Sequence, residues 1–173
     1  MRWEVFKQDA EGKPHQAIGS VHAPDAQGAL LNARHVFVRR PAAVSLWVAP
    51  AFAVHSWSAE ELERGLGAEP PEPEPADESR TFLVFVKTSN RRAMTFVDHV
   101  GDVTASGPLA ALQAAREKFA VDPALVWWLV PASQITASAA DEVASWFEPA
   151  RDKTYKQQSA YGRVRPKADR SRS

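Results

Sequence analysis

Cysteine is absent from the 173 residues, which excludes disulfides, thiol nucleophiles and cysteine-ligated zinc or iron–sulfur clusters. A surplus of one charge is missing too. The 21 Lys and Arg stand against 21 Asp and Glu, so the molecule has no net field to attract nucleic acid or an anionic membrane. No apolar run approaches the roughly 20 residues that cross a bilayer, and the opening MRWEVFKQD lacks the apolar core of a signal peptide. A cytoplasmic protein is the expectation. What is present is 45% hydrophobic residues, enough to bury a core as one bilobed domain or two small ones.

The usual signatures of catalysis are also missing. The residues three before His15, His22, His35, His55 and His99 are Gly12, Gly19, Asn32, Phe52 and Phe96. A di-iron carboxylate site needs Glu-x-x-His pairs, so none is formed here. There is no His-Glu-x-x-His helix, Gly-x-Ser-x-Gly elbow or Gly-rich phosphate loop. His22 or His99 as a general base is weighed against a lone strand histidine with a structural role, and the structural role is preferred. Glu60-Glu61 and Asp141-Glu142 follow Ser58 and Ser138 and read as helix starts, where negative charge suits the N-terminal dipole. No catalytic, cofactor-binding or metal-ligating residue is assigned, and no cofactor is expected.

The chain does repeat itself. Gly19, Val21, Ala23, Ala29, Leu30, Ala33, Arg34 and Phe37 fall on Gly101, Val103, Ala105, Ala111, Leu112, Ala115, Arg116 and Phe119. One residue fewer aligns SLWVAPAFAVHSWSAEE (45–61) with VWWLVPASQITASAADE (126–142), and EVFKQ (4–8) matches LVFVK (83–87). Each copy is a supersecondary unit of a size only marginally stable alone. Two copies imply a fused pseudo-dimer whose halves cover each other.

Both copies read strand, strand, helix, strand. In the first, Trp3–Lys7 and Ala17–His22 form a hairpin about Lys13-Pro14, and Asp25 caps a helix. Its stripe is Ala26, Ala29, Leu30, Ala33, Val36 and Phe37, and Val44–Val48 is a buried strand. In the second, Phe82–Lys87 and Ala93–Val103 are strands, Pro108 opens the helix, Asp122-Pro123 ends it, and Leu125–Val130 is the next strand. The expected fold is α+β, two tandem ββαβ units packed as a pseudo-dimer. Residues 1–63 and 80–144 are the units, and 64–79 is an acidic Pro/Glu linker of extended character. Residues 145–161 are an interaction arm and 162–173 a basic, disordered tail.

Candidate interaction residues are aromatic. Trp47 and Trp128 occupy matching strand positions, each three residues before a proline, and read as core. Trp146, Phe147, Pro149, Tyr155 and Tyr161 fall in a stretch without a counterpart after the first copy. Large rings in irregular segments suit partner anchors, because they bury area at little entropic cost. Truncation after Glu142 is therefore expected to spare folding and abolish assembly, unless the arm folds back on its own chain. Arg34 and Arg116 recur on the two helices, which favours pairing with a carboxylate or a backbone carbonyl over anion binding.

These residues resemble the B-subunit family of bacterial phenylacetyl-CoA epoxidase, the phenylacetic acid degradation oxygenase. WEVF (3–6), Gly19–Ala23, Ala29–Arg34, Ser45–Pro50 and Ile135–Ser138 are similar to family stretches. So are Phe147, Pro149, Ala150, Lys153 and Tyr155 at the close. His35, Phe37 and Val38 depart from the family pattern, as do Asp102 and Thr104 in the second copy, and members are typically a single copy. The resemblance implies a ubiquitin-like (β-grasp) roll in each unit and a non-catalytic, bridging accessory subunit. Its partners would be a di-iron catalytic subunit and that subunit's structural companion. Self-association also fits, and neither membrane nor nucleic acid is expected. The alternative is a stand-alone duplicated paralogue that binds an acyl-CoA, with Arg34 and Arg116 toward its phosphates, or another oxygenase-type partner.

Overall fold

The computed structural model describes residues 1–38, 43–65, 79–91 and 96–151; for 142, 143 and 149–151 it describes the backbone alone. The strands are β1 (Arg2–Gln8), β2 (Gln16–His22), β3 (Ser45–Pro50), β4 (His55–Ser58), β5 (Arg80–Lys87), β6 (Asp98–Ala105), β7 (Val126–Pro131) and β8 (Thr136–Ala137). The α-helices are α1 (Ala26–Phe37), α2 (Ala59–Glu63), α3 (Pro108–Phe119) and α4 (Val143–Arg151). The fold is α+β around one eight-stranded sheet in the order β4-β7-β5-β6-β2-β1-β3-β8. Read backwards with β1–β4 exchanged for β5–β8, that order is unchanged.

Every strand pairing among the described residues is antiparallel. A ubiquitin-like roll has a parallel pair at its centre, so the roll implied by the resemblance is not the arrangement found. The reason lies in the crossover. β2 and β3 both run against β1, so the chain that leaves β2 through α1 returns parallel to β2 with β1 between them. A helix on such a crossover covers one face of the sheet.

Alternation along the strands sorts side chains into three cores. Trp3 and Val5 of β1 face α1, joining Val21, Leu30, Leu46 and Val48. Phe82, Val84 and Val86 of β5 face α3, with Val103, Leu112, Trp127 and Leu129. The opposite faces meet in the middle, where Phe6, Leu83, Phe85, Val97, Trp128 and Val130 pack together. Phe6 stacks on Phe85 at 4.4 Å between ring centroids, and Trp128 meets Phe6 edge-on. The layers are therefore helix, sheet face, shared core, sheet face and helix.

The seam between the halves is narrow. β2 meets β6 at Gln16 and Asp98, where the Ala17 N–H donates to Val97 (2.9 Å) and the His99 N–H to His15 (2.8 Å). The outer strands tie the halves more firmly. Only Ala51–Val54 separate β3 from β4, yet β4 pairs with β7 and β8 pairs with β3. Five residue steps span at most about 18 Å, so the sheet must fold on itself to bring β3 beside β7. β4 belongs to residues 1–63 in sequence and to the other half in space.

Local sequence accounts for the helices. The Asp25 carboxylate accepts the Gly28 N–H at 2.7 Å, as its capping position predicts. Pro108 starts α3 at the first helical position, and Ala120 ends it in the left-handed region at φ +43°. The α1 stripe is narrower than its spacing suggests: Ala29, Leu30 and Ala33 are buried, while Val36 is exposed. Ser138 departs from its expected capping role. Its hydroxyl accepts the Leu46 N–H at 3.1 Å and so extends the β3–β8 pairing.

Candidate functional site

The seam gathers the histidines and tryptophan that carry most of the polar chemistry. β2 brings in Gln16, with His15 just before it, β3 brings Ser45 and Trp47, and β6 brings Asp98, His99 and Asp102. The His15 ring lies flat on Trp47 at 3.4 Å, and its Nε2 shares a hydrogen bond with the Ser45 hydroxyl at 2.9 Å. His99 also meets Trp47, edge-on at 5.5 Å, and pairs with Asp102 at 3.1 Å. Gln16 donates to the Asp98 carboxylate across the seam.

Burial pushes the His15 pKa down to about 4, and the nearby His99 adds to the shift. The imidazole is therefore neutral at pH 7. Ser45 and His15 have the spacing of a hydroxyl and its base. His15 is also only 7% exposed and held flat against an indole, an arrangement that fixes strands rather than receiving a substrate. Trp47, expected as core beside Trp128, is half-buried in this stack, whereas Trp128 is buried in the shared core. His22, the other histidine weighed as a base, is exposed at the end of β2.

A second cluster surrounds α4. Trp146 and Phe147 are 8% and 1% exposed, packed in the first core against residues of β1, α1 and β3. They occupy their own chain, on the half opposite to the one they follow in sequence. Arg34 secures them: Nε donates to the Trp146 carbonyl at 3.1 Å, Nη2 donates to the Ser145 carbonyl at 3.3 Å, and the guanidinium lies 5.4 Å from the Trp146 ring centre. Backbone carbonyls are thus the partners of Arg34, so it is not held ready for a phosphate. Arg116 differs. It is exposed and lines an open groove between α2 and α3. The structure describes only the backbone of Pro149, and Tyr155 and Tyr161 lie outside the described residues.

Phe52, on the single helical turn after β3, is 73% exposed. Its match in the second copy is Ser133, so the repeat comparison that singled out Trp47 passes over it. Among the described residues no three His, Asp or Glu side chains gather as a metal site, and no helix is long and apolar enough to cross a membrane.

The family model for phenylacetic acid degradation B matches this chain in two segments, residues 1–69 and 78–168. The chain belongs to that family. A relative is the B subunit of 1,2-phenylacetyl-CoA epoxidase from Escherichia coli (strain K12), 43% identical over 49 residues. The aligned stretch is 28% of this chain and 52% of the relative, so the chain spans about half of that relative's length. No solved structure gives a significant match. Within the family match lie both helices with their arginines, Trp47 and Trp128, and the α4 cluster.

Proposed function

We propose that this chain is a non-catalytic, bridging subunit of a multicomponent di-iron phenylacetyl-CoA oxygenase, and that it consists of two fused family units. The observation that carries the reading is the pair of successive family matches on a strand order unchanged when the halves are exchanged. Matching details support it. α1 and α3 each span 12 residues, and 3-10 turns follow Pro50 and Pro131 at equivalent places. Each half receives the other's last strand, as expected of a dimer whose subunits became one chain.

A bridging role suits this construction. The polar groups of the seam are paired within it, Gln16 with Asp98 and His99 with Asp102, and α3 beside its open groove leaves a face for docking. Its partners are the di-iron catalytic subunit and that subunit's structural companion, in the cytoplasm. Affinity purification of the chain from its native cell tests the reading. Recovery of a di-iron oxygenase subunit in stoichiometric amount is the expected result, and recovery of the chain alone overturns it. Calorimetric titration with phenylacetyl-CoA separates the alternative, since micromolar binding by the isolated chain favours an independent acyl-CoA protein.

A further inference from the structure

Two equivalent grooves flank the sheet, and the chain fills one of them. Beside α1, α4 lays down Trp146 and Phe147 and turns two carbonyls to Arg34. Beside α3, at the position matching Arg34, Arg116 lines an open groove of about 610 Å³. Leu62, Val121, Ala124 and Trp127 supply its apolar lining. The helix after β4 lasts only Ala59–Glu63, and the backbone reaches φ +85° at Gly65. The sequence positions matching Trp146 and Phe147 are Gly65 and Leu66, so neither ring has a counterpart. Glu63 and Glu117 also line this groove, where the first half has Ala144 and His35.

We propose that the open groove is the docking site for a helix of a partner protein. That helix brings two adjacent bulky aromatic side chains, basic residues beside them, and backbone carbonyls facing Arg116. The occupied groove supplies the aromatic and carbonyl part of this description, and the two added carboxylates supply the basic part. A second copy of the chain is a poorer occupant, because its own α4 is committed to its own α1. The inference rests on the duplicated-unit reading above and adds the surface and the partner's chemistry.

The test uses the full chain and a labelled peptide of residues 139–151 carrying Glu148→Lys, followed by fluorescence anisotropy. Micromolar binding is expected. Arg116→Ala or Val121→Glu in the protein weakens it at least tenfold, as do Trp146→Ala or Phe147→Ala in the peptide, while Arg34→Ala in the protein changes it less than twofold. No binding overturns the proposal. So does binding that Arg34→Ala abolishes and Arg116→Ala spares, which means exchange into the first groove. Binding that appears only after residues 66–78 are replaced by an equal Gly-Ser stretch also overturns it, since the chain's own linker is then the occupant. The assay contains no oxygenase subunit, so its failure leaves complex membership standing, and failed co-purification leaves the groove result standing.

Discussion

The ring of Phe119 occupies the space that a side chain on Gly101 would need: a Cβ there would stand 2.8 Å from Cζ. Gly101 also has φ +144° and sits where β5 and β6 slip register, Val84 facing Gly101 and Phe85 facing His99. The same pair recurs in the other half, where a Cβ on Gly19 (φ +145°) would stand 3.0 Å from Cζ of Phe37, beside the Val5–Phe6 register shift. Each glycine lets a bulge bend the sheet under the end of a helix. Gly101→Ala should therefore cost at least about 2 kcal/mol from torsion and overlap together. Gly19→Ala, with slightly more room, should cost less. Adding Phe119→Leu to Gly101→Ala should recover the overlap but not the torsional part. Urea denaturation of the three variants beside the native chain measures this, and a Gly101→Ala protein with an unchanged midpoint refutes it.

His15 makes a prediction about acid. Its pKa is pushed down to about 4 in the folded chain from an ordinary 6.5, so the unfolded state binds the extra proton. Stability from this group is complete above pH 6.5 and is lost as pH falls toward 4, by on the order of 3 kcal/mol. Burial lowers the His55 pKa as well and adds to the same slope. The difference between the native chain and His15→Asn isolates the His15 part. Denaturation midpoints between pH 7 and 4 should fall more steeply for the native chain, and parallel profiles would disprove the assignment.

Ser58 holds the start of α2 through a reciprocal cap. Its hydroxyl accepts the Glu61 N–H at 3.2 Å, and the Glu61 carboxylate accepts the Ser58 N–H at 2.7 Å. The Ser58 N–H and the Ser58 hydroxyl, which donates to the same carboxylate at 2.9 Å, lower the Glu61 pKa. Ser58→Ala should cost about 1 kcal/mol. The Glu61 carboxyl should titrate closer to its ordinary value, as followed by NMR. An unshifted Glu61 titration would mean that the cap does not form in solution.

Much of this fold is written locally. The glycine at each bulge and the buried Ala, Leu and Ala of α1 and α3 are local signals that both halves carry in register, whereas the side-chain caps at Asp25 and Ser58 belong to the first half alone. The exchange of β4 and β8 is not visible in that way. HSWS and TA are too short to carry a period, and their partners are chosen by the shared core and not by neighbours in sequence. Trp146 and Phe147 mislead for the same reason. Their irregular surroundings suit a docking arm, but the cavity they enter is built from β1, α1 and β3, about a hundred residues earlier. The sequence offers Arg34 and Arg116 alike a carboxylate or a backbone carbonyl, and nothing local points Arg34 to the Ser145 and Trp146 carbonyls of α4.

Arg34 and Arg116 match in sequence and should differ sharply in cost. Arg34 binds two carbonyls of α4 and stacks on Trp146, whereas Arg116 is exposed beside an open groove. Arg34→Ala should lose about 1–2 kcal/mol, and Arg116→Ala should stay within about 0.5 kcal/mol of the native chain. Phe147→Ala, which empties a fully buried site, should cost about 3–5 kcal/mol. Truncation after Glu142 removes both rings, so it should lower the unfolding midpoint substantially where the sequence led us to expect folding to be spared. Urea melts of the four proteins decide the matter. Equal costs for the two arginines, or a truncated chain that unfolds at the full-length midpoint, would show that α4 does not complete the first core.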